Sequence, residues 1–407
     1  VGGGSSGTIE HFTTPPRPES ERGFRLVAMS DMQIDRRRSD QFREVVHEGI
    51  IDYVTAQFGP ELDQELGFVL VPGDLVDNGA VHRQWVDEFF APSAALISKV
   101  PVYPVPGNHE RDSDHFFRFF HLPDNGTAGF EEHWWWLDYS NVRVLGLDSN
   151  SGYRNDAQLQ WLDEALDAAC LADHVDFVFA QLHHPHHSEL WPAGNTSYTG
   201  EVIQRLEDFS TRCAKPSVHF FAHTHCYSRG ESRDHAHVMV NVASAGGNID
   251  YWGEYTQTDY PEYTVSQDDY GFVLVEVEAG ADPEFRLRRI SRGNANQSRA
   301  NEVRDAMRVR RFNTPPTTPQ AIFPAATSVN PACVVLSTDP FEDPDGEPHG
   351  ASHWQVSLDC TDFSAPVHET WRQHENWYDG VDREAGSSLI EETVTDLEPQ
   401  TSYCWRV

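Results

Sequence analysis

The sequence predicts an α/β domain followed by a smaller all-β domain, on the basis of three observations. Up to about residue 280, short apolar runs rich in β-branched or aromatic residues end at glycine or polar residues, as buried strands do. Stretches with apolar residues at helical spacing lie between these runs. Beyond a stretch rich in Pro and Thr, short strand candidates are separated by turn-forming residues. The alternation of strands and helices favours parallel pairing in an α/β sandwich.

The elements of the larger domain can be placed in order along the chain. The first strand covers Phe24–Met29, and a helix follows with apolar residues at helical spacing from Phe42 to Tyr53. The later elements are strands at 68–71 and 102–105, a helix through Trp85 and Phe89, a hairpin over 134–147, helices at 156–169 and 200–213, and strands at 175–180, 218–221, 238–242 and 270–277.

Composition changes set the predicted domain limits. Residues 1–22 are rich in Gly, Ser, Thr and Pro and are interpreted as a flexible arm. The α/β domain then covers 23–312, a linker covers 313–320, and the all-β domain covers 321–407. Residues 286–311 carry nine arginines, for which a solvated helix face against the acidic body is favoured over a basic patch for an anionic partner.

Charge and cysteine content narrow the function classes. A net charge of −34 repels nucleic acid and anionic lipid, so neither is an expected partner. The sequence lacks the run of about 18 apolar residues that a membrane span needs. The six cysteines include no C-x-x-C pair, and one or two disulfides in an exported protein are favoured over free buried thiols. We therefore expect a secreted, periplasmic or cell-surface protein. We also expect the chain to be trimmed at both ends, Val1 and Val407.

Polar side chains of metal-ligand type follow the strand candidates directly. They are Asp31 and Gln33, Asp74, Asn108 and His109, His183 and His184, and His223 and His225. Because open α/β sheets place their sites at the carboxyl ends of strands, we expect these residues to lie together. Carboxylate, amide and imidazole groups are ligands for divalent metals such as Mn²⁺, Zn²⁺ and Fe²⁺.

In this order the motifs resemble the calcineurin-like metallophosphoesterase family, which includes purple acid phosphatases and phosphodiesterases. The resemblance covers residues 24 to 280. It implies a four-layer α/β/β/α sandwich with two divalent metal ions at one edge. By the same resemblance Asp74 bridges the two ions. The first site is completed by Asp31, Gln33 and His225. The second site is completed by Asn108, His183 and His223.

The remaining histidines receive roles by the same resemblance. His109 would protonate the leaving oxygen or stabilise the transition-state charge. His183 is preferred to His184 as the ligand because Pro185 follows at the family's spacing. His184 and His187 would then contact the substrate or support the ligands, with plain solvent exposure as the alternative. Glu110 and Asp77 are interpreted as local hydrogen-bonding groups.

Two positions depart from the family pattern. Gln33 stands where the family usually has His, so the first metal would bind more weakly or be a harder ion. Asp77 stands where purple acid phosphatases carry a Tyr for iron(III), so their purple colour is not expected.

The C-terminal residues resemble a fibronectin type III module, an immunoglobulin-like sandwich. The resemblance rests on the segment Leu397-x-Pro399-x-Thr401-x-Tyr403, whose Tyr would hydrogen-bond back to the preceding loop. The module would be truncated at its last strand. Cys404 would pair with Cys333 across the sheets or, alternatively, with Cys360.

Together these features predict a secreted phosphoesterase that hydrolyses phosphomonoesters or phosphodiesters by attack of a metal-bound hydroxide. The alternative is an extracellular adhesive or assembly protein that uses a phosphoesterase-like scaffold. In either case the C-terminal module would serve contact with an extracellular surface or self-association.

Overall fold

A computed structural model describes residues 13–20, 22–34, 38–374, 378–381, 383 and 388–407. The chain divides into two units, with the boundary between Arg311 and Phe312. Most of the predicted N-terminal arm, residues 1–12 and 21, lies outside the described residues.

The first unit contains thirteen strands among the described residues. In chain order they are β1 Phe24–Ala28, β2 Phe68–Val71, β3 Val102–Pro104, β4 Trp135–Tyr139, β5 Val142–Gly146, β6 Phe177–Gln181, β7 Ser217–Phe221, β8 Tyr227–Glu231, β9 His237–Val242, β10 Tyr263–Gln267, β11 Tyr270–Glu278, β12 Glu284–Gly293 and β13 Ser298–Arg310.

The helices of this unit lie between the strands. They are α1 over 41–57, α2 Leu62–Glu65, α3 over 82–97, α4 Asp114–Phe119, α5 Asp156–Leu171 and α6 Ser197–Cys213, with a 3₁₀ turn at Pro192–Gly194. Val45–Ile51 in α1 and Trp85–Phe90 in α3 are π-helical. Across the part of the chain that the structure describes, no helix is both long and apolar enough to cross a bilayer.

The strands form two mixed sheets. One has the order β13-β12-β11-β1-β2-β3 and the other the order β10-β8-β9-β7-β6-β5-β4. Neighbours are parallel from β1 to β3 in the first sheet and along β5, β6, β7 and β9 in the second. The predicted α/β class is confirmed, because both sheets contain parallel strands joined by helices, at one end of the first sheet and in the middle of the second.

Apolar side chains fill the space between the sheets. The ring of Phe285 on β12 lies 5.1 Å from those of Phe177 and Phe179 on β6, edge to face. Helices α5 and α6 bury their apolar residues on the second sheet, and Tyr53 of α1 contacts Phe272 of the first. These contacts are consistent with the predicted sandwich of two sheets flanked by helices.

The arginine-rich stretch is a hairpin of two strands, so the predicted helix is wrong. Phe285 and Leu287 are buried, whereas Arg286 and Arg288 between and after them point outward and pair with Glu284 and Glu276. This alternation has the two-residue period of a strand. Because the stretch contains many charged residues, this alternation is hard to recognise in the sequence.

Among its described residues, the second unit contains two three-stranded antiparallel sheets. Their strands are β14 Ala321–Phe323, β15 Val334–Thr338, β16 Ala351–Ser357, β17 His368–Gln373, β18 Glu391–Val394 and β19 Cys404–Arg406, paired in the orders β14-β15-β18 and β17-β16-β19. Trp354, Val356 and Leu336 form a small buried core.

Two disulfides are present, in agreement with the prediction of one or two. One joins Cys170 in α5 to Cys213 at the end of α6, and the other joins Cys360 to Cys404. Of the two pairings expected for Cys404, the one with Cys333 is wrong and the alternative with Cys360 is confirmed; Cys333 is exposed and unpaired. Cys360 follows β16, which pairs directly with β19, so it lies nearer to Cys404.

Candidate metal centre

The carboxyl ends of parallel strands from both sheets meet at one edge of the first unit. Asp31, Asp74 and Asn108 follow β1, β2 and β3, while His183 and His223 follow β6 and β7. The backbone N–H of Ser30 donates to the carbonyl of Val242, at 3.0 Å, and joins the two sheets at this edge. The predicted site residues therefore come from five loops at the same edge.

Asp74 lies at the centre of the group and is almost fully buried. Its Oδ1 accepts the backbone N–H of His109 at 2.9 Å, and its Oδ2 accepts Gln33 Nε2 at 2.7 Å and lies 3.2 Å from His183 Nε2. Burial alone would raise the pKa of Asp74, but the adjacent His183 and His109 hold it well below its usual value. The carboxylate is therefore ionised and offers both oxygens to the site.

A second buried carboxylate, Asp31, faces His225. The distance from His225 Nε2 to Asp31 Oδ1 is 3.0 Å, and the backbone N–H of His223 lies 3.3 Å from Asp31 Oδ2. His225 Nδ1 lies 2.6 Å from the carbonyl of Asn248 and must donate to it, because a carbonyl only accepts. The Nε2 lone pair of a neutral His225 therefore points at a carboxylate oxygen.

His183 has the same arrangement. Its Nδ1 donates to the carbonyl of Pro72 at 2.8 Å, and its Nε2 faces Asp74 and Asn108 Oδ1, the latter at 2.9 Å. Although burial lowers the pKa of both imidazoles, the facing carboxylates raise it to about 9 for His183 and about 10 for His225. In each case a carboxylate oxygen and an imidazole nitrogen share a proton, and the same two atoms are also ligands for a metal cation.

Buried acceptors without partners support this fit. Gln33 Oε1 accepts no hydrogen bond from the residues that the structure describes, and Asp31 Oδ1 accepts one only when His225 is protonated at Nε2. A buried oxygen that lacks a donor is costly, and cation coordination removes that cost. Two groups have ligand atoms close enough to hold an ion: Asp31, Asp74 and His183, and His183, His184 and His223.

His184 belongs to the second of these groups, whose ligand atoms all lie within 4.8 Å of one another. The hydroxyl of Ser149 accepts the backbone N–H groups of His183 and His184 at 3.1 and 2.9 Å, and it lies 3.0 Å from His184 Nδ1. Burial and the charge of His183 lower the pKa of His184, and the same two causes lower that of His223 to about 4. Both rings are therefore neutral near neutral pH.

The backbone at the site is held in an unusual conformation. Asp31, Asp74 and His223 have φ values of 58°, 51° and 72°, in the left-handed region that non-glycine residues rarely adopt. Strain of this kind clusters at functional sites, where the surrounding structure enforces it. Here it turns the three side chains away from their strands and toward one another.

Glu110 provides part of that enforcement. This fully buried carboxylate accepts the backbone N–H groups of Asp74, Leu75 and Gly107 at 2.8, 2.8 and 2.7 Å. Burial and the charge of Asp74 raise the pKa of Glu110 to about 8, and the hydrogen bonds from the Gly107 and Leu75 N–H groups oppose that rise. Its interpretation as a local hydrogen-bonding group is confirmed. The sequence did not indicate that it joins two of the ligand loops.

Sequence reasoning missed Asp250, which accepts the backbone N–H of His225 at 2.8 Å. Asp250 lies in the loop after β9, which carries no motif. Only the close approach of that loop to His225 identifies it.

The two other predicted histidines, His109 and His187, have different surroundings. His109 lies beside the centre, with Nδ1 donating to the carbonyl of Asp77 at 2.7 Å and Nε2 3.9 Å from Asp74 Oδ2; its side chain is 33% exposed. His187 instead pairs with Glu262 and stacks on Tyr260. Its assignment as a substrate contact stays a prediction.

The chain is similar in sequence to known phosphodiesterases and purple acid phosphatases. Over 294 residues, the chain is 25% identical to a nucleotide pyrophosphatase/phosphodiesterase of Hordeum vulgare, covering 64% of this chain and 78% of that protein. It is 23% and 22% identical to the probable inactive purple acid phosphatases 24 and 27 of Arabidopsis thaliana, over 75% of this chain. The chain spans only 54% and 55% of their lengths.

Solved structures share the fold. The purple acid phosphatase PPD1 of yellow lupin superposes with a TM-score of 0.54 at 16% identity, over 73% of this chain and 55% of that one. The structure of PhoD gives 0.51 at 11% identity, over 74% and 72%. The model of the calcineurin-like phosphoesterase family matches residues 24–227, which is half of the sequence. The matched part contains all the carboxylates and imidazoles described above except Asp250 and Glu262. On that match, the chain belongs to the calcineurin-like phosphoesterase family.

Proposed function

We propose that this protein is a secreted, metal-dependent phosphoesterase that hydrolyses phosphomonoesters or phosphodiesters at a centre for two divalent ions. The observation that carries the proposal is the convergence of electron-rich atoms: His183 Nε2 lies 3.2 Å from Asp74, His225 Nε2 lies 3.0 Å from Asp31, and ligand atoms of Asp31, Asp74 and His183 lie within 4.8 Å of one another. Electron-rich atoms at such distances repel unless a cation or a proton lies between them.

The chain offers a ligand set for each ion, as the family resemblance implied. Asp74 would bridge, with Asp31, Gln33 and His225 at the first ion and Asn108, His183 and His223 at the second. When bound, two such ions polarise phosphoryl oxygens, lower the pKa of a water and neutralise developing charge. Gln33 would have to turn its amide, because its Nε2 and not its Oε1 faces Asp74.

His109 is suited to transfer a proton to the leaving oxygen. Its Nδ1 is occupied by the carbonyl of Asp77, so the ring presents Nε2 on the partly exposed side of Asp74. A protonated Nε2 there would donate to an ester oxygen as the P–O bond breaks. The same contact would hold the ring in one orientation during binding.

Metal loading combined with two chromogenic substrates tests the proposal. The purified protein is dialysed against Mn²⁺ or Zn²⁺ and assayed with p-nitrophenyl phosphate and its bis-ester. We expect turnover of at least one substrate, and its loss in Asp74→Ala. If the protein binds two ions and turns over neither substrate, the enzyme claim is wrong. The ratio of the two rates distinguishes a monoesterase from a diesterase.

The second candidate is an extracellular scaffold that keeps the fold without catalysis. Gln33 in place of the family histidine and the word inactive in the names of two relatives favour it. Elemental analysis separates the two functions. About two metal ions per chain support the enzyme, and well under one supports the scaffold.

We also propose that residues 321–407 form a fibronectin type III-like module. The hydroxyl of Tyr403 accepts the backbone N–H of Glu398 at 2.9 Å, which is the corner contact expected for such modules. The disulfide between Cys360 and Cys404 supports an oxidising compartment and hence export. Contact with an extracellular surface or self-association remains the proposed role of the module.

A further inference from the structure

Two aromatic side chains lie beside the candidate metal centre and have no role in the chemistry proposed above. The ring centroid of Trp191 lies 5.4 Å from that of His223, and the ring of Tyr255 lies 6.0 Å from Trp191 at an angle of 44°. Tyr255 is 44% exposed and Trp191 is half-buried. We call these two residues the aromatic rim. It extends from His223 toward solvent.

Hydrogen bonds join the two loops that carry the rim. Glu189, buried near Trp191 in sequence, accepts the backbone N–H of Tyr260 at 3.1 Å through its side chain. Its backbone carbonyl accepts the N–H of Thr258 at 3.2 Å. These hydrogen bonds connect the loop that carries Trp191 with the loop that carries Tyr255. The two rings of the aromatic rim are therefore held in position before a ligand binds.

Close packing fixes Trp191 against the site. A Cβ added at Gly194 would lie 3.1 Å from both Trp191 Cε3 and His223 Cδ2, so the backbone of the 3₁₀ turn at Pro192–Gly194 lies directly on both rings. One edge of Trp191 is covered in this way. Tyr255, in contrast, has its exposed ring available to a ligand.

We propose that the aromatic rim stacks a planar ring on the leaving group, so that the substrates are phosphate esters of nucleosides or of similar ring-bearing alcohols. Exposed π faces next to a phosphoryl site bind flat rings without reading their edges. In the reaction, the oxygen of water bonds to phosphorus, the P–O bond to the alcohol breaks and the departing oxygen takes a proton. This inference rests on the proposed function, because the rim matters only if a phosphate ester binds beside it.

A matched pair of substrates isolates the contribution of the ring. Adenosine 5′-monophosphate and ribose 5-phosphate release the same primary alcohol oxygen and differ in the base. In Trp191→Ala and in Tyr255→Ala we expect kcat/KM for the nucleotide to fall about 5- to 100-fold, mainly through KM, which is the range that base–aromatic stacking provides. The value for ribose 5-phosphate should not change. Trp191→Phe should keep most of the nucleotide activity, and Trp371→Ala, in the second unit, serves as a control.

The outcomes distinguish the rim from a structural cover over His223. Equal losses with both substrates, or no loss with either, would overturn the proposal, and Tyr255→Ala makes this test without touching a proposed ligand. Binding of adenosine followed by ligand-observed NMR gives a readout that needs no turnover. If the metal-loaded protein hydrolyses neither substrate, the proposed function fails. Adenosine binding that weakens in Tyr255→Ala would still support the rim, and binding that is absent or unchanged would refute it.

Discussion

Gly107→Ala should displace the carboxylate at the centre of the site. A Cβ at residue 107 would lie 2.2 Å from Asp74 Oδ1 and 2.5 Å from the Asp74 nitrogen. Ordinary contact distances begin at 3.4 Å, so the carboxylate has to move by about 1.2 Å. It cannot move freely, because Glu110 and His109 hold the same loop by hydrogen bonds.

The expected cost follows from these contacts. Moving Asp74 breaks the hydrogen bond from the His109 N–H to the carboxylate, which is worth roughly 1.5–3 kcal/mol because the acceptor is charged. A displaced carboxylate also no longer faces His183. If Asp74 bridges two ions, metal affinity should fall at least as far as for lost supporting contacts, about 10- to 100-fold.

Two measurements test this prediction, with Gly152→Ala as the matched control. A Cβ at Gly152 would meet nothing within 4 Å, so that variant should behave as the wild type. Metal content after dialysis against limiting Mn²⁺ reports affinity, and urea unfolding reports stability. The reasoning is refuted if Gly107→Ala matches Gly152→Ala in both, since Asp74 would then not be confined at this position.

Three further predictions concern buried charged groups. Glu110→Gln should lower the unfolding free energy by about 1–3 kcal/mol and weaken metal binding, since an amide nitrogen cannot accept a backbone N–H; Glu88→Gln, where a single N–H is accepted, should cost less in the same urea titration. Asp305→Asn should cost about 3–5 kcal/mol because it removes the buried charged partner of the Arg229 guanidinium and leaves only the more exposed Glu231, whereas Arg229→Met combined with Asp305→Leu should recover part of the loss, since the buried hydroxyl of Tyr227 still lacks its acceptor. Burial lowers the pKa of His237 to about 3 from 6.5. Its unfolded form therefore binds more protons below that ordinary value, and His237 should contribute a loss of about 2 kcal/mol of stability between pH 7 and 5, so that the total decline is smaller by about this amount in His237→Gln.

Much of the fold and most of the site could be predicted from local patterns. Strand runs such as Phe68–Val71 are apolar because they are buried on both faces, and the glycine or polar residues that follow such runs mark the strand end. Because parallel strands bring these ends to one edge, the grouping of Asp31, Asp74 and His183 was predictable from order and spacing.

Contacts between distant segments could not be predicted in this way. The choice between Cys333 and Cys360 as the partner of Cys404, and the approach of Asp250 to His225, depend on which strands and loops become neighbours. The arginine-rich hairpin was misread because charged side chains on its exposed face hid the two-residue alternation of Phe285 and Leu287.

The sequence alone therefore determined the α/β class, the strand ends and which carboxylates and imidazoles directly follow the strands, because strand burial and side-chain chemistry are local properties. Only the tertiary structure decided the proton positions on His183 and His225, the hold of Glu110 on the Asp74 loop and the placement of Trp191 beside His223. Each of these depends on a carbonyl, an N–H group or a ring from a distant part of the chain, and distances between such groups are set only when both sheets pack together.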